Sequence, residues 1–288
     1  MDDIKNKNTD TIVADTTPAE RTADAAMMEE MAKAGVLFGR KRTRTNPRMK
    51  KYIFTTRNGM EIFDLTQTID LIARAQEFIK EVVKTGRPIL LVGTEPSSIE
   101  AVKALGEKFM FPFVVERWLG GTLTNFESLS KRLNYYMGLK ADKETGKLDK
   151  YTKKERVVIE KQIERLTRLF GGLERLTQLP GAVIVFGSDA HEIAVAEANR
   201  MKIPLVAIAN SSANPDTLNY IIPANDNSRS SITWIAGKIG EAIEAGIREK
   251  HIAAEAGKAA SAPVAAKVHP PSAAPEATRA MADKPIKK

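Results

Sequence analysis

Residues 40–57 hold the side chains of this 288-residue chain that are best suited to bind a polyanion. The segment contains eight bases and no acid, namely Arg40, Lys41, Arg42, Arg44, Arg48, Lys50, Lys51 and Arg57. Exposed charge runs usually mix both signs, whereas bases interleaved with Tyr52 and Phe54 are typical of phosphate neutralisation combined with base stacking. The segment therefore predicts nucleic-acid binding, with a solvated face or a site for another anion as the alternatives. We expect Asn46 and Pro47 to shape the loop.

A second candidate contact is Arg117 beside Trp118, just ahead of the glycine pair at 120–121. A guanidinium and an indole could bind a phosphate and stack on a base. The competing interpretation is that Trp118 fills the core beneath an adjacent helical hairpin. The sequence leaves both interpretations open.

Three residue types of hydrolase chemistry, Ser188, Asp189 and His191, lie within four positions. A catalytic triad, however, is assembled from distant parts of a chain around an exposed nucleophile, and the sequence has no Gly-x-Ser-x-Gly elbow. We therefore predict that Ser188 or Asp189 caps a helix that begins near His191. No catalytic residue is assigned, and we expect no enzyme activity.

The sheet edge that follows Gly93 suggests an alternative function. Ligands of open α/β sheets bind at the carboxyl ends of the strands. The residues expected there, Gly93, Thr94, Ser188 and Asn210, would surround a nucleotide or a sugar phosphate in an enzyme or sensor. The loop lacks both Gly-x-Gly-x-x-Gly and Gly-Lys-Ser/Thr, and the carboxylate of Glu95 would repel a phosphate.

Composition excludes several other kinds of site. Without cysteine the chain has neither disulfides nor thiolate metal sites. Its histidines, His191, His251 and His269, lack metal-ligand spacing, so we expect no metal and no cofactor. No apolar run approaches the ~20 residues of a membrane span, and the N-terminus lacks the apolar core of a signal peptide. We expect a cytoplasmic protein with no membrane contact and no small-molecule substrate.

The elements that must position these residues alternate along the chain. Short apolar runs predict strands at 88–93, 113–115, 182–186, 205–209 and 220–222, and helical periodicity predicts helices at 18–33, 97–109, 192–201 and 230–250, with a further one starting at Asp64 or Thr66. The dipeptide Asn58-Gly59 predicts a two-residue β-hairpin. This alternation predicts an α/β fold, flavodoxin-like or Rossmann-like, with helices on both faces of a parallel sheet.

The stretch from Phe126 to Phe170 interrupts the alternation, because it has no strand-like run. Its two narrow apolar stripes predict an antiparallel α-helical hairpin, packed as a coiled coil, that projects from the body. The expected domains are a disordered segment at 1–18, an α/β body at 19–125 and 171–250, the hairpin insertion at 126–170 and a disordered Ala/Pro/Lys tail at 251–288. Twelve bases against seven acids in the hairpin suggest a third function, a scaffold that binds its partner there.

Several motifs then occur in an order that is similar to one family. They lie at 34–40 (AGVLFGR), 46–49 (NPRM), 52–54 (YIF), 57–59 (RNG), 92–94 (VGT), 117–125 (RWLGGTLTN), 179–182 (LPGA) and 203–208 (IPLVAI). With them the chain resembles the ribosomal protein S2 (uS2) family of the small ribosomal subunit over roughly residues 32–249. The block from Arg117 to Gly121 is the most specific of these motifs.

The resemblance implies a structural protein that binds small-subunit rRNA between head and body, near the messenger exit. It also implies contact with neighbouring ribosomal proteins and help in docking the messenger-binding protein S1. The RNA contacts it implies fall within 40–57 and on Arg117, Trp118 and Asn125. From the hairpin we expect additional RNA or protein contacts through Lys131, Arg132, Lys153, Lys154 and Arg156. With six to eight phosphates engaged, the log–log salt slope of RNA affinity should be about −5 to −7.

Overall fold

The computed structural model describes residues 18–260 of the chain. The helices are α1 (Pro18–Ala34), α2 (Leu65–Lys84), α3 (Ile99–Phe109), α4 (Phe126–Glu144), α5 (Lys153–Phe170), α6 (Glu192–Arg200) and α7 (Arg229–Ala260). The strands are β1 (Phe38–Lys41), β2 (Ile53–Arg57), β3 (Met60–Phe63), β4 (Ile89–Val92), β5 (Phe113–Val114), β6 (Ala182–Phe186), β7 (Leu205–Ala209) and β8 (Tyr220–Pro223).

Five strands form a parallel sheet in the order β5-β4-β6-β7-β8. Every residue of β4, β6 and β7 is buried, as expected for continuous apolar runs in a sheet covered on both faces. Successive side chains point to opposite faces. Leu91 and Ile184 therefore pack with α2, α3 and α7, whereas Val92 and Val183 pack with α4 and α6. The predicted α/β fold with a doubly covered parallel sheet is confirmed.

Local signals act at the predicted helix and hairpin ends. Gly35 has φ +73° where α1 ends, a conformation that favours glycine. The Asp64 carboxylate accepts hydrogen bonds from the backbone N–H groups of Thr66 and Gln67 at the start of α2. Asn58 and Gly59 both have positive φ, 53° and 76°, in the turn that joins β2 to β3, as the hairpin prediction requires.

A second sheet was not predicted in full. Strand β1 pairs with β3 antiparallel, and β3 pairs with β2, which gives the order β1-β3-β2. Between β1 and β2 the chain forms short 3₁₀-helices at Arg42–Arg44 and Pro47–Tyr52. The basic segment is thus built of regular elements along its length, rather than of an open loop.

The hairpin differs from the narrow-stripe prediction at its base. Leu129, Leu133 and Tyr136 of α4 are buried together with Phe170 and with sheet residues such as Val183. These helices therefore pack on the body as well as on each other. Farther out, a capping box between Thr152 and Glu155 starts α5, whereas Val158, an apolar residue of the same helix, is 60% exposed. The coiled coil stays a prediction.

The predicted disordered termini fall mostly outside the described residues, which end at 18 and 260. Within the described part, α7 continues to Ala260, beyond the predicted helix end near residue 250. The expected division into body, insertion and tail stays a prediction.

Candidate nucleic-acid interface

Six bases of segment 40–57 present their charges to solvent. These exposed residues are Lys41, Arg42, Arg44, Lys50, Lys51 and Arg57. None of the six forms an ion pair within residues 18–260, although acids are as near in sequence as Glu61. Because unpaired surface bases are free to exchange small counterions for phosphates, this surface has the electrostatics of a polyanion site. We call these six residues the basic surface.

Two aromatic residues accompany the basic surface. Phe54, on β2, is 75% exposed, so its ring can stack on a base without rearrangement of the core. Tyr52 is half-buried and packs with the buried residues Met49 and Phe63. The Lys51 ammonium lies 4.9 Å from the centroid of the Tyr52 ring, a cation–π contact. Of the two rings expected to stack, Phe54 is the more accessible.

Arg40 and Arg48 do not belong to the basic surface. The Arg40 guanidinium forms an ion pair with Asp226, and its side chain is only 21% exposed. The Arg48 guanidinium pairs with Asp216 at 2.5 Å and reaches the side-chain oxygen of Asn214 at 3.4 Å. The buried carboxylate of Asp226 therefore turns Arg40 away from solvent, whereas the exposed pair of Arg48 with Asp216 is weak and leaves Arg48 able to exchange partners.

Asn46 shapes the segment between β1 and β2, as expected. Its side-chain oxygen accepts from the backbone N–H of Arg48 at 3.0 Å, and its own N–H donates to the carbonyl of Ser211 at 2.8 Å. These bonds start the 3₁₀-helix at Pro47 and tie it to the loop after β7. With its side-chain oxygen used in the turn, Asn46 acts in shaping the loop.

The loop that contains Trp118 is organised by a residue that the sequence did not single out. Glu197 of α6 is 8% exposed and accepts hydrogen bonds from the Trp118 indole, from the backbone N–H groups of Gly121, Leu123 and Thr124, and from the Thr124 hydroxyl. Burial by itself raises the pKa of a carboxyl group, but here these bonds outweigh it and hold the pKa of Glu197 below its ordinary value.

This arrangement favours the packing interpretation of Trp118. The ring is half-buried against the core cluster beneath the hairpin, and its only polar atom is bonded to Glu197. Trp118 thus contributes to the packing beneath the hairpin, and contact of its ring with RNA stays a prediction. The neighbouring residue Arg117 is exposed, so its guanidinium is accessible to an anion.

A cleft of about 320 Å³ lies at the base of the hairpin. Leu119, Gly120 and Gly121 line it on the loop side, and Asn125, Ser128 and Arg132 line it on the side of α4. The structure therefore brings together two predicted contacts, Asn125 and Arg132, which lie seven positions apart in the chain.

The other predicted hairpin contacts are distributed along α4 and α5. Lys131 pairs with Glu127 at 2.7 Å one turn earlier, and Arg156 pairs with Asp149 at 2.9 Å. Lys153 and Lys154, at the start of α5, are exposed and form no ion pair within residues 18–260. Exposed pairs of this kind are weak, so these bases can still exchange partners.

The carboxyl edge of the parallel sheet has few groups to offer a phosphate. Thr94 donates its backbone N–H to His191 Nε2 at 3.0 Å. The Asn210 amide nitrogen donates to Asp226 at 2.6 Å. Burial is the main cause that raises the pKa of Glu95, and the negative charges of Asp226 and Asp189 raise it further against the opposing charge of Arg40. The edge therefore opposes the nucleotide or sugar-phosphate site that the sequence left as an alternative.

The helix cap predicted near His191 is wrong in its details. His191 is the N-cap of α6, and no side chain caps this helix. Asp189 instead accepts from the Ser212 hydroxyl, and the buried Ser188 hydroxyl finds no partner within residues 18–260. His191 Nδ1 lies 2.6 Å from the carbonyl of Gly187, so the ring donates there and accepts from Thr94. Burial lowers the pKa of His191 and keeps it neutral.

Between residues 18 and 260, no group of three His, Asp or Glu side chains is placed to hold a metal ion. Nor does any helix in that range combine the length and apolarity that a membrane span needs.

Comparison with known proteins assigns the family. The family model described as ribosomal protein S2 matches residues 31–246. A protein named small ribosomal subunit protein uS2 from Roseiflexus castenholzii is 39% identical over 229 residues, which cover 79% of this chain and 87% of the relative. A uS2 protein of Chloroflexus aurantiacus is 39% identical over 228 residues, 79% of this chain and 96% of the relative. The resemblance noted in the motifs is confirmed, and this chain belongs to the ribosomal protein S2 family.

Proposed function

We propose that this chain is a structural component of the small ribosomal subunit and binds the rRNA of that subunit through segment 41–57. The observation that carries the proposal is the basic surface, in which six exposed bases stand on regular elements without an ion-pair partner in the described part of the chain. The family of the chain supports small-subunit rRNA as the polyanion, because the relatives are named as small-subunit proteins.

The proposed binding mode is mainly electrostatic, with stacking as a smaller contribution. The basic surface supplies phosphate contacts, and Phe54 supplies one exposed ring for an unpaired base. The six contacts of the basic surface alone correspond to a log–log salt slope of about −4 to −5, at the low end of what six to eight contacts would give. Arg40 is paired inward with Asp226, and Arg48 would have to leave Asp216 before it could add a contact.

A second RNA contact is proposed at the base of the hairpin. Arg132 and Asn125 line one cleft there, and Arg117 is exposed on the loop that leads to it. We assign the outer hairpin bases Lys131, Lys153, Lys154 and Arg156 to contacts with RNA or neighbouring ribosomal proteins. On the ribosome, in the cytoplasm, the chain would also help dock S1.

Sedimentation tests the assignment to the small subunit. A cell lysate is run through sucrose gradients at low and high salt, and the fractions are blotted for this chain. We expect the chain to migrate with small subunits at low salt and to be stripped at high salt, because phosphate contacts weaken steeply as salt rises. A chain that stays at the top of the low-salt gradient would contradict the proposal.

Deletion of residues 130–166 separates this function from a hairpin scaffold. If the basic surface provides most of the affinity, the shortened chain still binds rRNA at low salt. If the hairpin is the main binding surface, the deletion abolishes partner binding. S1 docking is tested in parallel, by measuring how much S1 is retained on small subunits assembled with and without this chain.

A further inference from the structure

Arg40 differs from the basic surface because its guanidinium points into the protein. Arg40 Nη2 lies 3.1 Å and 3.3 Å from the two carboxylate oxygens of Asp226, a residue that is 1% exposed. Asp226 follows β8, 186 positions later in the chain. This ion pair therefore joins the strand that starts the basic segment to the carboxyl edge of the parallel sheet.

Asp226 also holds the loop on which the basic segment rests. Asn210 donates from Nδ2 to Asp226 Oδ1 at 2.6 Å, and its own side-chain oxygen accepts from the backbone N–H of Ser211 at 2.7 Å. Ser211 then contacts the basic segment twice. Its hydroxyl accepts from the N–H of Arg40 at 2.9 Å, and its carbonyl accepts from the N–H of Asn46 at 2.8 Å. One buried carboxylate thus fixes the segment both directly and through Ser211.

The electrostatics of the sheet edge favour an inward-facing cation at this point. Burial and the charge of Asp226 raise the pKa of Glu95 and of Asp189, and the charge of Arg40 opposes the rise at both groups. Within residues 18–260, Arg40 is the only base that forms an ion pair with any of Glu95, Asp189 and Asp226. Without its guanidinium, the carboxylates of Glu95, Asp189 and Asp226 would face one another uncompensated.

We propose that Arg40 and Asp226 are positioning residues that anchor the basic segment for RNA binding, and that Arg40 itself does not contact RNA. The proposal rests on the RNA-binding function inferred above. A polyanion site gains affinity when its bases are held in place before binding, because less conformational freedom is lost in the complex. The anchor holds β1 and the following 3₁₀-helices against the body, while the six bases of the basic surface remain exposed.

Hydrogen exchange of the RNA-free protein tests the anchor directly. The variants are Arg40→Met and Asp226→Asn, with Arg42→Met as the matched control, because Arg42 is an exposed base on the same segment. We expect the amides of residues 40 and 46 to exchange at least tenfold faster in the two anchor variants, since both amides donate to Ser211. Arg42→Met should leave these exchange rates unchanged.

The salt dependence of rRNA binding distinguishes a positioning residue from a phosphate contact. Arg40→Met should weaken binding at least tenfold with an unchanged log–log slope, whereas Arg42→Met should make the slope smaller by about 0.7 to 0.9. The double variant Arg40→Met/Asp226→Asn should recover part of the affinity lost in Arg40→Met, because it leaves no uncompensated charge at Asp226.

Two results would overturn the proposal. One is a slope in Arg40→Met that falls as much as in Arg42→Met, which would make Arg40 a phosphate contact. The other is unchanged exchange of amides 40 and 46 in the anchor variants. If Arg40→Met does not fold, Asp226→Asn, which removes the charge that holds the guanidinium inward, decides both measurements. Failure of the wild-type chain to bind rRNA would overturn the proposed function, yet the exchange experiment would still decide whether the anchor exists.

Discussion

Two segments of this protein, residues 40–57 and the loop at 117–125, contain arginine beside an aromatic or basic neighbour, and a buried carboxylate fixes each of them differently. Asp226 takes the guanidinium of Arg40 and leaves six neighbouring bases exposed. Glu197 accepts hydrogen bonds from the indole of Trp118 and from three backbone N–H groups, and the half-buried ring packs against the core. Residue types suited to RNA binding thus lie exposed in segment 40–57, whereas in the loop at 117–125 the aromatic residue packs against the protein. The partner of each polar atom decides which.

The largest effect on stability is expected from loss of the Glu197 carboxylate. Glu197→Ala leaves the buried N–H of Leu123, the partly buried N–H of Gly121 and the indole without their acceptor, so the free energy of unfolding should fall by about 3 kcal/mol. Urea denaturation measures the change. Glu192→Ala, at an exposed position of the same helix, should change the free energy by no more than about 0.5 kcal/mol. Equal effects in the two variants would contradict the structural role of Glu197.

Substitution of bases in the basic surface should have an effect of similar size, but on RNA affinity and not on stability. The triple variant Arg42→Ala/Arg44→Ala/Arg57→Ala removes three exposed bases that make no ion pair in the described residues. At 0.1 M salt its affinity for rRNA should fall about a hundredfold, because three phosphate contacts are lost. The thermal midpoint should stay within a few degrees of wild type. Unfolding of the triple variant would instead make these arginines structural.

Substitution of one aromatic residue in each segment, Phe54 and Trp118, tests the difference between an exposed ring and a packed one. Phe54→Ala should weaken rRNA binding about tenfold at little expense of stability, because its ring is 75% exposed and available for stacking. Trp118→Phe removes the indole donor to Glu197 and should lower the free energy of unfolding by about 1 kcal/mol with nearly unchanged RNA affinity. Filter binding and urea denaturation of both variants measure the two effects. A reversed pattern would place Trp118 in the RNA interface.

The smallest effect is expected from His191, a buried neutral residue at the carboxyl edge of the parallel sheet. It should change the stability of the protein only as the pH falls. Burial lowers the pKa of His191 in the folded state below its ordinary value of 6.5. Below pH 6.5 the unfolded chain therefore takes up a proton that the folded chain does not, and stability is lost as pH falls.

This contribution should amount to about 1 kcal/mol between pH 7.5 and 5.5. His191→Gln keeps a donor and an acceptor but does not titrate. The difference in the free energy of unfolding between wild type and variant therefore separates the contribution of His191 from that of the carboxyl groups. A difference that does not change with pH would contradict a neutral His191 in the folded state.

The parallel sheet could be predicted because its signal is local. The runs at 89–92, 182–186 and 205–209 are apolar throughout, which is the pattern of strands buried on both faces. Strand β1 was missed because Phe38-Gly39-Arg40-Lys41 neither alternates nor forms an apolar run. Its pairing with β3 depends on contacts made about twenty residues later.

The sequence predicted which residues form the candidate site, but it did not predict which of their side chains face solvent and which face the protein. Segment 40–57 stood out because its charges have one sign. That Arg40 turns inward depends on Asp226, 186 positions away, and the role of Trp118 depends on Glu197, 79 positions away. A single sequence does not reveal such pairs. An acid inside the apolar run of α6 was a signal for Glu197, since acids are rarely buried without partners.

The most direct test of the account is the salt dependence of rRNA binding by the wild-type chain. Affinity is measured between 50 and 200 mM monovalent salt and plotted on logarithmic axes. Six phosphate contacts predict a slope of about −4 to −5. A slope near zero would contradict the assignment of the basic surface as the RNA-binding site.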